Sequence, residues 1–392
     1  EGWHAIHLPN PGNGGGQIVL HLNFGDIHDW LPQIEANVDA WFLDGFAPSK
    51  NPDMWNDQLF LQMARLTPIE GTVATFTAAG LVKRGLKAAG FEVNKAKGFG
   101  RKRDMLVASQ KYTNGPQPQN WVKHKPWLRH FSEKKPNNKH AVIIGAGISG
   151  CSTAHSLANR GWEVTLVEIY EVASGASGNA QGVLYAKLAA EMNLHSQFFL
   201  AGYLYSLRLL KLAMPEKNDW NNCGVLQLAT NPKEEKRQQT FHSRFPMEDV
   251  VTWVDKEAAS DIAGTDLNYS GLYFKDGAWV YPTTFCQQLI QHENIRVLDQ
   301  TICQNIHQHS NGSWNIELNN GETLTSETLV ICNANDAKRL TPLEFLPTNP
   351  VAGQVTKVEN QNVSLKTVLC GDHYVTPTHN QDLNFGASYR IK

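Results

Sequence analysis

The sequence predicts an α/β protein in two successive parts, and three observations carry that prediction. Residues 17–110 alternate strand-like and helix-like stretches and close with two apolar runs around the turn "KGFGRKRD". Residues 113–139, "TNGPQPQNWVKHKPWLRHFSEKKPNNK", break the pattern with Pro, Asn and Lys and hold no sustained apolar period. From His140 a new strand–turn–helix–strand begins, "HAVIIGAGISGCSTAHSLANRGWEVTLVE". Alternating strands and helices imply parallel strands with covered faces. The expected layout is a partial Rossmann-like sheet over residues 1–112, a basic linker over 113–139 and a second α/β unit over 140–392.

Composition supports this division. The 392 residues, 41% hydrophobic and 18% charged, suffice for two cored domains. No leader-like start or long apolar run is present, so a soluble, cytoplasmic protein is expected. Six scattered cysteines without a CxxC pair fit buried thiols better than a disulfide framework or zinc site. His307 and His309 share one strand face, which reads as a solvated edge, and no residue set is assigned to a metal. Net charge is −2, yet residues 83–139 hold 15 basic residues against Glu92, Asp104 and Glu133. Such a block offers a phosphate-facing surface or a solvated face.

In the first part, "QIVLHLNFGDI", "VDAWFLDGF" and "GTVATFT" read as strands. "PDMWNDQLFLQMARL" and "AGLVKRGLKAAG" read as helices, and "FEVNKAKGFGRKRDMLVAS" as an antiparallel pair at the sheet edge. An open α/β sheet binds ligands at the carboxyl ends of its strands. Asp44 sits at such an end in "FLDGFAPSKNPDMW", where a carboxylate can hold an amine or take up its proton. The other reading is that Asp44 ties down its loop. Asn51 and Pro52 are expected as helix N-cap and first helical residue.

"DAWFLDGFAPSKNPDMW", "GTVATFTAAGLVKRGLKAAGF" and "KGFGRKRDML" resemble the methyltransferase half of the bacterial bifunctional tRNA 5-methylaminomethyl-2-thiouridine biosynthesis enzymes. The resemblance implies an S-adenosylmethionine-dependent fold in which Asp44 serves the amine being methylated. It also implies that the glycine-rich loop for the methyl donor lies upstream of residue 1, so a piece of a longer chain is expected.

In the second part, Gly145, Gly147 and Gly150 of "GAGISG" follow the buried strand "AVIIG". They allow a tight turn, close approach to a pyrophosphate and packing of helix on strand, with the helix N-terminus facing the phosphates. Glu168 ends the next strand, where a carboxylate bonds a ribose 2′-hydroxyl. The small-residue loop "VASGASGNAQGVLYAKL" suits an extended FAD better than NAD. Ser177, Asn179 and Gln181 in it are candidates for the pyrophosphate or flavin edge, or are turn formers. "TLVICNAN" reads as a strand returning to the cofactor sheet. FAD-binding parts are expected at about 140–190 and 326–350, with an interleaved α+β substrate region at about 191–325 and 351–392.

"GASGNAQGVLY", "CGVLQL", "GAWVYPTTF", "VAGQV" and "GASY" resemble the FAD-dependent half of the same enzymes, within the glycine-oxidase and D-amino-acid-oxidase type. The resemblance implies oxidative removal of the carboxymethyl group from 5-carboxymethylaminomethyl-(2-thio)uridine in tRNA, followed by methylation of the aminomethyl product. It places the last cofactor and substrate segments beyond Lys392, and the arginine that binds the substrate carboxylate is not assigned, Arg390 included. With tRNA as partner, Arg101, Lys102 and Arg103 are the expected phosphate contacts. Two alternatives are a small-molecule amine or amino-acid oxidase with an unrelated N-terminal module, and a non-catalytic flavin-containing RNA-binding protein.

Overall fold

The computed structural model describes residues 2–8, 18–98, 100, 103–111, 136–360 and 362–391. The linker expected at 113–139 therefore lies almost wholly outside the described residues. Two compact units emerge, one of residues 1–2 and 23–134 and the other of residues 3–22 and 135–392. Residues 3–22 thus group with the second unit rather than with the first, where the boundary at 112 puts them. Arg208 Nη2 donates to the Ala5 carbonyl at 3.0 Å, and the His7 ring meets Tyr205 edge-on at 5.6 Å.

The early elements are β1 (Gly2–Leu8), β2 (Ile18–Phe24), α1 (Ile27–Trp30), β3 (Ala40–Leu43) and α2 (Asp57–Leu66). β4 (Thr72–Thr75), α3 (Gly80–Ala88), β5 (Phe91–Lys97) and β6 (Asp104–Gln110) follow. β2 pairs with β1 instead of joining the parallel sheet. It buries none of its residues, whereas a parallel-sheet strand is covered on both faces. The sheet proper runs β3-β4-β6-β5, with β3 and β4 parallel and β6 antiparallel to both β4 and β5. The expected hairpin forms, but its second strand lies inside. β6 buries Leu106, Ala108 and Gln110, while β5 ends in exposed Lys95 and Lys97, which suits an edge.

The helix expected from Pro52 is divided. A 3-10 turn spans Pro52–Trp55, Asn51 makes no capping bond, and Asn56 caps α2 by accepting from Leu59 N at 3.0 Å. Asn56 offers the capping oxygen that competes with a continuous helix. α2 and α3 bury Phe60, Met63, Val82 and Leu86 against Phe91, Val93 and Leu106.

The second unit begins with β7 (His140–Ile144), α4 (Ile148–Ala158), β8 (Glu163–Val167), β9 (Gly182–Leu184) and α5 (Leu194–Ala213). Then come β10 (Trp220–Asn221), β11 (Val225–Leu228), α6 (Pro232–Arg244), β12 (Val251–Val254) and α7 (Lys256–Ala263). β13 (Gly271–Phe274), β14 (Ala278–Val280), α8 (Pro282–Leu289), β15 (Ile295–Leu298), β16 (Cys303–Gln308) and β17 (Trp314–Leu318) continue it. β18 (Thr323–Ser326), β19 (Thr328–Ile331), β20 (Val351–Glu359), β21 (Val368–Cys370), β22 (Tyr374–Val375) and β23 (Asp382–Ile391) complete it.

Four parallel strands in the order β15-β8-β7-β19 make the central sheet. β7 and β8 are almost wholly buried apolar runs, as strands covered on both faces require. β19 returns beside β7 as expected. β15, however, lies in this sheet although it falls in the expected substrate region 191–325. The meander β16-β17-β18 also belongs with it, through Ile306, Ile316 and Leu318 packed on Val142, Ile144 and Val167. The chain therefore leaves the central sheet after β8 and re-enters at β15. Between these points it contributes to a seven-stranded sheet, β12-β13-β11-β21-β22-β23-β20, and to a small sheet, β10-β14-β9.

A Cβ on Gly85 would lie 2.4 Å from the Phe60 ring, so α3 reaches α2 only because this position is bare. Gly85→Ala gains about 1 kcal/mol of helix propensity but overpacks the contact by about 1–3 kcal/mol. A net destabilisation of up to about 2 kcal/mol is expected, read as a lower urea midpoint. A raised midpoint would show that α2 and α3 are not so closely packed.

Candidate functional site

The glycine turn between β7 and α4 is a close meeting of three backbone segments. Gly145 has φ +99°, and a Cβ there would lie 2.6 Å from the Cys332 carbonyl oxygen at the end of β19. A Cβ on Gly150 would lie 1.8 Å from the Gly145 oxygen. Both glycines are thus demanded by turn and packing. Gly147, the N-cap of α4, differs: a Cβ there would meet only the Ser177 hydroxyl, at 3.2 Å, among the described residues. The Ile148 amide at the start of α4 donates to that hydroxyl at 2.9 Å.

Glu168 lies directly beyond β8. Its Oε2 accepts from the Ala146 amide at 2.7 Å, and its Oε1 from the Tyr170 amide at 3.1 Å. The carboxylate is therefore oriented by the turn itself, and each oxygen keeps a further lone pair for a ribose hydroxyl.

The loop candidates separate. Ser177 reaches the helix N-terminus, whereas exposed Asn179 donates to the Ala176 carbonyl at 3.0 Å as a turn former does. Gln181 is fully buried and turned into the protein. Its Oε1 accepts from Thr376 Oγ1 and from Asn384 Nδ2, and its carbonyl accepts from the Tyr374 hydroxyl at 3.0 Å. It ties the loop to β22 and β23, and its Nε2 has no partner among the described residues. Thr376, Asn384 and Cys332 are the residues that sequence reasoning missed here. Their only signal is position, near the ends of strands whose pairing the sequence does not announce.

Asp44 follows β3 at its carboxyl end and is exposed. Its amide donates to the Phe42 carbonyl at 3.1 Å. Among the described residues its carboxylate makes no hydrogen bond or ion pair, so it does not tie down the loop. That task falls to buried Trp55, whose indole donates to the Phe46 carbonyl at 2.8 Å. Phe42 and Phe46, either side of Asp44, are largely exposed.

Of the three expected RNA contacts, Arg101 and Lys102 lie outside the described residues, and Arg103 is exposed at the start of β6. The six cysteines are free thiols, and burial pushes Cys223, Cys303 and Cys370 up to about 11, which keeps them protonated at neutral pH. His307 is exposed, 3.7 Å from the Glu317 carboxylate. Among the described residues no three His, Cys, Asp or Glu side chains gather for a metal, and no helix is long and apolar enough to cross a membrane.

A family model described as FAD dependent oxidoreductase matches residues 140–392. The chain belongs to that family. Residues 12–111 match a second model, described as S-adenosyl-L-methionine-dependent methyltransferase. The chain is 41% identical over its whole length to the "tRNA 5-methylaminomethyl-2-thiouridine biosynthesis bifunctional protein MnmC" of Chromobacterium violaceum, covering 58% of that protein. It is 43% identical over 95% of its length to the protein of the same name from Chromohalobacter salexigens, covering 53% of it. The chain thus spans a little over half the length of these relatives. Glycine oxidase from Geobacillus kaustophilus shares its fold over 64% of this chain and 71% of its own (TM-score 0.55, 21% identity). L-proline dehydrogenase from P. horikoshii does so over 66% and 71% (TM-score 0.53, 19% identity).

The residues present fit FAD. Two glycines close the turn, the third adds no side chain over the start of α4, where Ser177 takes the Ile148 amide, and the Glu168 oxygens keep lone pairs that a ribose hydroxyl could use. Gly147→Val puts a branched side chain into that opening. Loss of most of the visible flavin absorbance is expected, with the far-ultraviolet circular dichroism retained. Unchanged flavin content would remove the pyrophosphate from this place.

Proposed function

We propose that the chain is part of a bifunctional enzyme that modifies the wobble uridine of tRNA in the cytoplasm. Its FAD-dependent part removes the carboxymethyl group from 5-carboxymethylaminomethyl-(2-thio)uridine. Its methyltransferase part then converts the aminomethyl product to 5-methylaminomethyl-(2-thio)uridine with S-adenosylmethionine. The single observation that carries this reading is the whole-chain similarity to proteins bearing that name, which spans both matched families in one order.

FAD, when bound, supplies the two-electron oxidant for the carboxymethyl C–N bond. The chain's own residues would hold it: the amide end of α4 would meet the pyrophosphate, Glu168 would take a ribose hydroxyl, and Gln181 would keep the small-residue loop fixed. In the first unit the free carboxylate of Asp44 orients the amine and accepts the proton it loses as nitrogen attacks the methyl donor. Arg101, Lys102 and Arg103 meet backbone phosphates.

The test uses the full-length enzyme and tRNA carrying the carboxymethylaminomethyl nucleoside, with products weighed by mass spectrometry. With S-adenosylmethionine the wild type should yield the methylaminomethyl nucleoside. Asp44→Asn should stop at the aminomethyl nucleoside, because an amide hydrogen-bonds but cannot accept the proton. Turnover of free N-substituted glycines with tRNA left untouched would favour a small-molecule oxidase. Binding without any change of mass would favour a non-catalytic RNA-binding protein. Charge reversal at Arg101, Lys102 and Arg103 should lower the salt slope of tRNA binding by about 0.7–0.9 per lost contact, with FAD retained. An unchanged slope would assign the cluster to solvent.

A further inference from the structure

The strand directions of the first unit bring its chemistry to one side. β3 and β4 are parallel, β6 is antiparallel to β4, and β5 is antiparallel to β6, so β5 runs with β3 and β4. The carboxyl end of β5, the start of β6, the start of α3 and Asp44 therefore all lie at one edge of the sheet. The register carries a single row across it, from Leu43 to Thr75 to Leu106 to Lys95. Asp44 is one residue beyond that row and Lys97 two. Three strand spacings of about 4.8 Å separate them laterally by about 14 Å.

Charge is sorted along the same axis. At the carboxyl edge Lys95 is matched by Asp104 at 3.4 Å, but Lys97, Arg103 and Arg84 have no acidic partner among the described residues. A Cβ on Gly80 would lie 3.0 Å from Arg84 Nη1, so this guanidinium folds back over the start of α3, toward that edge. Arg103 is held at the turn by its carbonyl, which accepts from the Gly98 amide at 3.1 Å. Glu92 lies at the amino end of β5, and Glu70, which pairs with Lys111 at 3.1 Å, just before β4. Asp104, opposite Lys97 in the register, is thus the acid of this half that stands at the carboxyl edge, while Glu92 and Glu70 sit at the opposite one.

We propose that this carboxyl edge is a track for single-stranded RNA. Asp44 meets the reacting nucleoside at one end, Lys97 holds a backbone phosphate at the other, and Arg103 and Arg84 hold phosphates between them. The inference rests on the tRNA-modifying reading and adds which phosphates the protein grips. A separation of about 14 Å equals about four nucleotides of a stacked strand at 3.4 Å each, and fewer of an extended one. The gripped phosphates are those about two to four nucleotides from the modified uridine, and the adjoining one is passed over.

The 392-residue chain and an anticodon stem-loop RNA test this by fluorescence anisotropy across a salt series. Lys97→Ala and Arg84→Ala should each lower the salt slope by about 0.7, while Lys233→Ala on α6 leaves it unchanged. Replacing single phosphates by neutral methylphosphonates should then be non-additive with Lys97→Ala only at two to four nucleotides from the wobble uridine. Circular dichroism confirms that each variant is folded. Should the wild-type chain not bind the stem-loop at all, the tRNA reading and this inference fall together. If it binds but the slopes do not change, or the coupling appears at the adjoining phosphate, the inference alone is overturned.

Discussion

The second unit is organised by a contact with no side chain in it. The carbonyl oxygen of Gly145 lies so near the α carbon of Gly150 that a methyl group cannot stand between them, while the Cys332 backbone closes the other side of Gly145. Strand β7, helix α4 and strand β19 are brought into register there. Glu168 adds the fourth segment by bonding the Ala146 amide inside the turn. The amide end of α4 is aimed by this arrangement, so the place where an anion can be held follows from packing rather than from a charged side chain.

The two units use the same physical device in different ways. A parallel sheet delivers its chemistry at the carboxyl ends of its strands, because there the chain turns outward and side chains escape the packed faces. In the second unit that edge presents backbone amides and a carboxylate already engaged by the fold. In the first it presents Asp44, a carboxylate that the fold leaves unspent among the described residues. A bonded group suits holding a cofactor, and an unbonded one suits taking a proton from a substrate amine.

Much of this was legible in the sequence, for reasons that can be named. The apolar runs at 141–144 and 164–167 have no polar face to expose, and GxGxxG has few other physical uses between a strand and a helix. The place of Asp44 at the carboxyl end of a strand was legible because an apolar strand runs straight into it. Long-range pairing was not. Nothing local distinguishes β15 from a strand of the substrate region, or tells that β6 rather than β5 would lie against β4. β2 has the composition of a sheet strand, yet buries no residue and pairs with β1. Asn56 outcompeted Asn51 as helix cap, a choice made by where Trp55 is anchored. Gln181 read as a cofactor ligand or a turn former from its loop, whereas its partners Thr376 and Asn384 lie 195 and 203 residues away and draw its side chain inward.

The central claim is that the turn closed by Gly145 and Gly150 aims the amide end of α4 so that FAD can bind there. The most direct measurement is to purify the full-length enzyme, saturate it with FAD, remove unbound cofactor and identify what heat releases from the protein by chromatography. Noncovalent FAD in equal number to the chains is predicted. A nicotinamide dinucleotide released instead, or a folded protein that retains no flavin after saturation, would contradict the account.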